Sequence, residues 1–408
     1  MGILERFLKY VSIDTTSDSS KIETPSTKGQ IKLANLLVEE LKKLNMDMIH
    51  YDDDHCYVYG LLKGSVDYPK IGFISHLDTS EDAIGKNIEP NIIHNYDGKD
   101  IRLSDNVILS SKKYSDLNNH VGKTLITSSG KTLLGADDKA GIAEIMNMLQ
   151  YFANSNEPHG DIFVCFTPDE EIGLGLLHFD KNYFNPDFAY TVDGSSLGEF
   201  SYENFNAATA TINITGVPTH CGEAKGTMIN AGRIATLINS LLPNETPENT
   251  ENYEGFFHLD EISGNVSKAT IKYLIRDFDK INFEKRKQSL TTIIEELNQK
   301  YNNCIELSIK DTYHNMLEII NNETFLIENT LRAISNLEIS PQVIPIRGGT
   351  DGTEISFLGI PCPNLGTGGH NFHSVYEYIC LEDMEKACEI LISIVKQFSK
   401  NKMKNLIN

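Results

Sequence analysis

Short apolar runs that end in polar residues alternate with helical stripes along the first half of the chain. Residues 71–75, 162–166 and 188–192 are such runs, and each is typical of a buried strand. Between the first two, residues 139–152 carry apolar side chains on one helical stripe, which predicts a helix. Strands that alternate with helices indicate an α/β fold in which a mixed, largely parallel sheet is covered by helices on both faces.

Two helix starts carry polar residues that predict capping. Thr27 and Gln30 match a capping box at the start of a long amphipathic helix that precedes the first strand. Asp137 and Asp138 stand in front of the helix over residues 139–152, where they are candidate N-caps.

From about residue 207 the pattern changes to strand, helix, two strands, helix and strand. Strands are predicted over residues 207–215, 255–262, 268–278 and 304–313, and helices over 228–242 and 283–301. This βαββαβ order is that of a ferredoxin-like α+β unit. Since the earlier pattern resumes after about residue 316, we predict a first domain of residues 1–206 and 316–408 and a second domain, residues 207–315, inserted into it.

The charge balance and the cysteines indicate the partners and the compartment that suit the protein. Lys and Arg total 36 against 57 Asp and Glu, and the net charge of −21 would repel nucleic acid and anionic membranes. The first residues mix charges with apolar side chains, unlike a secretory signal, and no apolar run is long enough for a membrane span. Seven cysteines without a C-x-x-C pair favour reduced thiols. We therefore expect a soluble cytoplasmic protein whose metal ligands would be His and carboxylate.

Polar clusters rich in histidine and carboxylate follow the predicted strands. They are His76-Leu-Asp78, Asp137-Asp138, Glu170-Glu171, Asp193 and His370-Asn-Phe-His373. One such cluster is more often a turn or a helix cap than a ligand set. Five at one sheet edge would repel one another without cations, and two metal ions would remove that repulsion. Oxygen and imidazole ligands suit catalytic zinc, and cobalt and manganese accept the same ligands.

Five longer motifs carry a more specific resemblance. They are His76-Leu-Asp-Thr79, Leu134-Gly-Ala-Asp-Asp-Lys-Ala-Gly141, Thr167-Pro-Asp-Glu-Glu-Ile-Gly173, Arg347-Gly-Gly-Thr-Asp-Gly352 and Asn371-Phe-His-Ser374. In their order and spacing, from about residue 1 to 400, the chain resembles the peptidase T family of the two-zinc aminopeptidase and aminoacylase clan. The resemblance implies a zinc-peptidase catalytic domain, an inserted ferredoxin-like lid domain, and two Zn²⁺ ions per subunit with Co²⁺ or Mn²⁺ as substitutes.

The resemblance also implies a role for each metal-site residue. His76 and Asp193 would hold one zinc, and Glu171 and His373 would hold the other. Asp137 would bridge the two ions.

Asp78 and Glu170 are the predicted catalytic residues. Asp78 lies two residues beyond His76 and so on the same side of an extended chain, where its carboxylate is predicted to orient the imidazole; a turn residue is the alternative. By the resemblance, Glu170 is the general base that activates a water or hydroxide bridging the metals.

Spacing alone leaves the roles within two pairs of residues open. Either Glu170 or Glu171 could be the base, with the other as ligand, and the assignment above comes from the resemblance. His370 competes with His373 as a ligand, and the match of the Asn371 motif favours His373.

Three further residues are predicted to contact substrate. By the resemblance, His220 stabilises the oxyanion formed during hydrolysis; a surface histidine is the alternative. Arg276 and Arg347 are candidates to hold the C-terminal carboxylate of a short peptide, with Arg347 favoured because two glycines follow it. A structural ion pair is the alternative for Arg276.

These expectations point to an aminopeptidase that releases the N-terminal residue of tripeptides. An acidic site for the amine and a cationic clamp for the carboxylate would select peptide length, because a longer chain cannot satisfy both. N-acyl amino acids or dipeptides are alternative substrates, and a non-catalytic, metal-stabilised binding module is an alternative function. A homodimer that pairs through the inserted domain is one option, and protection of its edge strand within one chain is the other.

Overall fold

The computed structural model of the chain describes residues 1–400. Its helices are α1 (Ile3–Val11), α2 (Lys28–Lys43), α3 (Ala136–Asn154), α4 (Ala231–Leu241), α5 (Lys280–Lys300), α6 (Leu317–Ile320), α7 (Thr324–Ser335), α8 (Asp351–Phe357) and α9 (Leu381–Lys400). Its strands are β1 (Met48–Tyr51), β2 (Val58–Leu62), β3 (Ile71–His76), β4 (Asn91–Ile93), β5 (Ile101–Arg102), β6 (Ile108–Leu109), β7 (Leu125–Thr127), β8 (Ile162–Thr167), β9 (Phe188–Gly194), β10 (Glu199–Ser201), β11 (Asn206–Thr215), β12 (Phe256–Gly264), β13 (Lys268–Asp277), β14 (Ile305–Tyr313), β15 (Gln342–Val343), β16 (Asn364–Gly366), β17 (Gly369–His370) and β18 (Tyr378–Cys380). Among residues 1–400, no helix is both long and apolar enough to cross a bilayer.

Residue contacts divide the chain into two compact units. The first is Met1–Tyr202, Glu318–Ile344 and the described residues from Thr350 onward; the second is Glu203–Leu317 together with Pro345–Gly349. The domain boundaries predicted at 206/207 and 315/316 lie a few residues from these points. Residues 401–408 of the predicted first domain lie outside the described part of the chain.

The segment Pro345–Gly349 belongs to the second unit, outside its predicted range. Ile346 explains why: its N–H donates to Glu203 O (2.9 Å), and its carbonyl accepts the N–H of Phe205 (3.2 Å). This short pairing joins segments far apart in sequence, so it leaves no periodic signal that a sequence pattern would reveal.

An eight-stranded mixed sheet organises the first unit, in the order β1-β2-β8-β3-β9-β16-β10-β15. Strand β3 pairs in parallel with β8 and β9, and β9 with β16, whereas β2 pairs antiparallel with β1 and β8. The adjacent residues Phe73 and Ile74 of β3 belong to opposite clusters: Phe73 packs with residues of α1, α2, α3, α7 and α9, and Ile74 with Ile355 of α8. The predicted mixed sheet, covered on both faces, is confirmed.

The three apolar runs of the first half are the central strands β3, β8 and β9, as predicted. Each is buried along nearly its whole length, as expected where helices cover both faces of a sheet. The strands extend slightly beyond the apolar runs, so that His76 is the last residue of β3 and Asp193 lies within β9.

Neither predicted helix cap forms. Thr27 precedes α2, but its side chain accepts no capping hydrogen bond. Gln30 is buried and instead donates from Nε2 to Asp169 Oδ1 (2.6 Å) while accepting the Asp169 N–H (3.1 Å). Asp137 and Asp138 lie inside the first turn of α3 with non-helical backbone angles and provide no cap. These predictions were wrong because tertiary contacts engage the side chains that a local pattern assigned to the helix start.

The second unit has the element order β11-α4-β12-β13-α5-β14. Its sheet order is β12-β13-β11-β14, and all neighbouring strands are antiparallel. Ile234 and Ile238 of α4 and Leu290 and Ile294 of α5 join the strand residues in one apolar core. The predicted βαββαβ order of a ferredoxin-like unit is confirmed.

Candidate metal centre

The ends of three parallel strands bring the predicted site residues together. His76 ends β3, Asp193 lies near the end of β9, and Glu170 and Glu171 begin the short turn after β8. Because β8, β3 and β9 are parallel neighbours, their carboxyl ends meet at one edge of the sheet. Asp137, in the first turn of α3, reaches the same edge through its contact with His76.

Asp137 lies between the two predicted histidine ligands. Its Oδ1 is 2.9 Å from His76 Nε2, and its Oδ2 is 3.0 Å from His373 Nε2. On one side, Asp193 Oδ1 lies 3.4 Å from His76 Nε2; on the other, Glu171 Oε2 lies 3.0 Å from His373 Nε2. The structure thus gathers the five predicted ligands into two adjoining groups that share one carboxylate.

The donor atoms of this cluster fit a pair of divalent cations. His76, Asp137 and Glu171 offer ligand atoms within 4.8 Å of one another, and so do His76, Glu170 and Asp193. Oε1 of Glu171 is buried and has no hydrogen-bond partner among the described residues, so this oxygen is available to an ion. Within residues 1–400, the ion-pair partners of these carboxylates are imidazoles, which leaves an excess of negative charge for cations to neutralise.

Burial and neighbouring charges shift the pKa values of the cluster. Burial raises the pKa of Glu171 to about 7 and that of Asp193 to about 6. Burial, helped by the charge of Asp193, raises the pKa of Glu170 well above its usual value. Hydrogen bonds to Asp137 and Glu171 raise the pKa of His373 to about 11. Without metal the cluster therefore holds extra protons, and bound cations would take their place.

Asp78 fixes both the first histidine and the adjacent glutamates. Its Oδ1 lies 3.3 Å from His76 Nδ1, and its backbone carbonyl lies 3.1 Å from the same nitrogen. The buried carboxylate also accepts the N–H of Glu170 on Oδ1 (3.0 Å) and that of Glu171 on Oδ2 (3.1 Å). Holding Nδ1 in this way turns Nε2 of His76 toward the cluster, which is the geometry that the predicted orienting role requires.

The structure also shows where the histidine pair and the glutamate pair lie whose roles spacing left open. His373 contacts Glu171, whereas His370 is buried in β17 with its ring stacked on Tyr378 at a centroid distance of 4.8 Å. Glu171 contacts an imidazole directly, while Glu170 lies beside the His76 and Asp193 group without an ion pair among the described residues.

His220 and Arg276 lie in the second unit. His220 is exposed, and its Nδ1 accepts the N–H of Gly222 at 3.2 Å. Arg276 donates from Nη1 to two backbone carbonyls of the unit, and its guanidinium lies 5.3 Å from the ring centre of Tyr313. Among residues 1–400 no carboxylate pairs with Arg276, so the ion pair considered from the sequence is not found there.

Arg347 also lies in the second unit, where backbone carbonyls bind its guanidinium. Nη1 donates to Asn252 O (2.7 Å) and Glu254 O (3.0 Å), and Nη2 donates to Thr250 O (3.3 Å) and Thr250 Oγ1 (3.0 Å). The guanidinium lies 5.1 Å from the ring centre of Phe205. These four hydrogen bonds use the N–H groups of both terminal nitrogens, so they fix the guanidinium within the second unit. The two glycines that follow Arg347 did not indicate these bonds.

Glu377 is a positioning residue that the sequence did not reveal. Its buried carboxylate accepts the N–H groups of Leu134 (2.6 Å) and Gly135 (2.8 Å) on Oε2 and of Asp137 (3.1 Å) on Oε1. Gly135 has a φ of 78°, a left-handed conformation that favours glycine, and this bend directs successive N–H groups to one acceptor. The only sequence signal is a carboxylate beside the apolar run that forms β18.

Two more buried carboxylates accept hydrogen bonds from the ends of the strands that carry the cluster. Asp138 Oδ2 accepts the backbone N–H of His76 (3.1 Å) and the hydroxyl of Ser75. Asp351 Oδ2 accepts the hydroxyl of Thr167, the last residue of β8 (2.7 Å). Both fix the ends of the strands that carry the site.

Glu377→Gln is expected to loosen metal binding. A glutamine oxygen can accept from two N–H groups, but its amide would face the third, so the loop that carries Asp137 would relax. Losses of this kind typically cost about 10–100-fold in metal affinity. Competition with a chelator measures the loss, and Glu385→Gln, an exposed change on α9, is the matched control. Equal resistance of both variants to the chelator would show that Glu377 does not position Asp137.

The chain is similar to known proteins over nearly its whole length. A family model described as peptidase family M20/M25/M40 matches residues 134–397. The chain is 50% identical over 401 residues to peptidase T of Clostridium perfringens strain SM101, with 97% of this chain and 98% of that protein covered. Two solved structures, each 22% identical, have a TM-score of 0.79: the aminopeptidase PepT from Bacillus cereus, with 97% of this chain and 98% of that one covered, and a tripeptidase from Staphylococcus aureus, with 98% of both covered. At this identity the two structures bear on the fold alone.

Proposed function

The chain belongs to peptidase family M20/M25/M40, and from that membership we propose that it is a metal-dependent aminopeptidase that hydrolyses the N-terminal peptide bond of tripeptides. The observation that carries the proposal is the carboxylate of Asp137, which contacts one imidazole with each oxygen. Beside it, Asp78 holds the backbone of Glu170 and Glu171 so that both carboxylates reach the same cluster.

The proposed cofactor is a pair of divalent cations, zinc in the first place, with cobalt or manganese as substitutes. His76 and Asp193 would hold one ion, Glu171 and His373 the other, and Asp137 both. When bound, such ions polarise a scissile carbonyl and lower the pKa of water, so the site needs no serine or cysteine nucleophile.

Glu170 is the proposed general base. Glu170 is half-buried, and desolvation together with the charge of Asp193 raises the pKa of its carboxyl group, which suits a group that first accepts a proton and then releases it. The proton would pass from the attacking water to a carboxylate oxygen of Glu170 and from there to the nitrogen of the leaving amine. Asp78 keeps the Glu170 backbone in place through its hydrogen bond.

Residues of the second unit are proposed to bind the rest of the substrate. Nδ1 of His220 accepts a hydrogen bond, so the neutral ring carries its proton on Nε2, which can donate to a substrate carbonyl oxygen. Arg276 and Arg347 are the proposed partners of the C-terminal carboxylate. Arg276 has no carboxylate partner within residues 1–400, which supports its part. The 50% identity to peptidase T of Clostridium perfringens supports the substrate length.

Tripeptides with free termini are expected to be the best substrates. The loss of a charge-assisted hydrogen bond to the C-terminal carboxylate costs about 1.5–3 kcal/mol, or roughly 10–100-fold in kcat/KM. Values of kcat/KM for di-, tri- and tetra-alanine, and for amidated and N-acetylated tri-alanine, test this expectation. Equal rates on the three lengths would exclude tripeptide selection. Preference for the acetylated peptide would indicate a deacylase, and no turnover with metal bound would indicate a binding module.

Hydrolysis rates on the free and the amidated tripeptide distinguish the roles of Arg276 and Arg347. If Arg276 binds the carboxylate, Arg276→Ala should slow the free peptide and leave the amide unchanged, so that the preference disappears. Arg347→Ala should do the same if the Nε–H group of Arg347 reaches the substrate. If Arg347 only binds the carbonyls of residues 250–254, Arg347→Ala should lower the rates on both peptides together. Arg233→Ala, an exposed change on α4 of the same unit, should keep the preference of the unaltered protein.

A further inference from the structure

A second group of metal-ligand side chains lies in the first unit and shares no residue with the centre described above. His120 ends a 3₁₀ turn (Ser115–His120), Cys380 ends β18, and Asp383 lies in the first turn of α9. One ligand atom of each residue lies within 4.8 Å of the others, and all three residues are buried. Two segments distant in sequence, the turn that ends at His120 and the junction of β18 and α9, thus meet at one point.

The ring of His120 lacks partners for its polar atoms. It is 3% exposed, and neither ring nitrogen has a hydrogen-bond partner among the described residues. Its ring lies against His370 and Tyr378, with centroids 5.4 Å and 6.0 Å away, so these neighbours hold the ring without bonding to it. A buried polar group left unsatisfied destabilises the fold, and a ligand on the imidazole would offset that cost.

The distance between His120 and Asp383 suits a shared ion. His120 Nδ1 lies 3.3 Å from Asp383 Oδ2, and this contact does not have the geometry of a hydrogen bond. Two ligand atoms at about 2.0–2.1 Å from a tetrahedral zinc are roughly 3.3 Å apart. Lys123 Nζ donates to the other oxygen, Asp383 Oδ1, at 2.7 Å, and so orients the carboxylate with Oδ2 toward the imidazole.

The third donor, a sulfur atom, is one that zinc prefers. Cys380 supplies sulfur, and Glu382 Oε2 lies 3.3 Å from its Sγ. Both oxygens of Glu382 accept the N–H of Thr124, which fixes the carboxylate next to the sulfur. Nitrogen, sulfur and carboxylate oxygen together favour a borderline-soft divalent ion over magnesium or calcium.

We propose that His120, Cys380 and Asp383 bind one zinc-type divalent cation at a site separate from the peptidase centre. On binding, the thiol proton of Cys380 is released to solvent and the sulfur lone pair binds the metal, so no oxidant or reductant is required. The ion joins the turn before β7, the end of β18 and the start of α9. Its role is structural, and the proposal does not depend on the peptidase activity.

Cobalt provides a readout specific to this site. The chelated, full-length protein is titrated with Co²⁺ while thiolate-to-cobalt charge-transfer absorption is followed in the near ultraviolet. None of the peptidase-centre ligands is a cysteine, so the band reports sulfur ligation elsewhere. We expect a band that saturates at one cobalt per chain and is absent in Cys380→Ser and His120→Ala. Metal analysis of these variants should show one ion fewer than in the unaltered protein, with peptide hydrolysis retained.

Cys221→Ser is the matched control, because Cys221 is exposed and stands next to an imidazole, that of His220, in the sequence. This variant should keep the band. The proposal is overturned if the unaltered protein binds cobalt without the band, which would mean that water satisfies His120. It is also overturned if Cys221→Ser removes the band and Cys380→Ser does not. Circular dichroism confirms that each variant is folded, and Asp383→Asn serves as the second variant if His120→Ala is not.

Discussion

Replacing Glu170 with glutamine is expected to slow peptide hydrolysis by about 10²–10⁴-fold while metal binding stays intact. Glutamine keeps the shape of the side chain but cannot take a proton from water. The backbone N–H of residue 170 still donates to Asp78, so the turn should keep its conformation. Steady-state rates on a tripeptide, together with metal analysis of the same sample, measure both effects.

The neighbouring glutamate makes this test decisive. Glu171→Gln should release metal, because Glu171 contacts His373 and its second oxygen has no other partner among the described residues. Glu89→Gln, an exposed change in the first unit, should alter neither property. If Glu170→Gln loses metal and Glu171→Gln keeps it, the two roles are exchanged. Full activity in Glu170→Gln would remove Glu170 from the reaction.

Replacing Asp137 with asparagine is expected to abolish hydrolysis and to release both metal ions. Each oxygen of Asp137 faces a different imidazole, so the change affects both groups of ligands at once. The amide NH₂ would place a donor where one cation needs an acceptor, and the charge that balances both ions would be lost. Metal analysis after dialysis and tripeptide hydrolysis are the measurements.

Single-histidine variants provide the contrast for Asp137→Asn. His76→Ala and His373→Ala should each weaken mainly one ion, because each imidazole belongs to one group. Asp105→Asn, an exposed aspartate of the first unit, should retain both ions and full activity. Retention of two tightly bound ions by Asp137→Asn would show that this carboxylate does not join the groups.

The sequence predicted the parts of the fold that depend on local periodicity. The apolar runs that became β3, β8 and β9 identified the sheet, and the polar residues at their ends, His76 and Asp193, predicted one edge of the site. Asp137 was named through resemblance to a known family. Its position between two imidazoles depends on how the loop before α3 meets the sheet, which no periodicity encodes.

The misses share one physical cause, which is competition between local and distant partners. Gln30 has the spacing of a capping box, but Asp169 offers it a buried pair of hydrogen bonds. Glu377 has no local signature, since its partners are N–H groups far earlier in the chain.

The loop that carries Asp137 depends on Glu377, which the ribosome adds much later. Chains grow from the N-terminus, so His76, Asp137 and Asp193 emerge long before Glu377 and His373. Until then the loop lacks its acceptor, and one of the two imidazoles is missing. A nascent chain therefore exposes acidic side chains that are not yet shaped into a cation site. We expect stalled chains that end before residue 373 to be inactive even with metal in excess, so that hydrolysis begins only when translation of the last β-strands and α9 is under way.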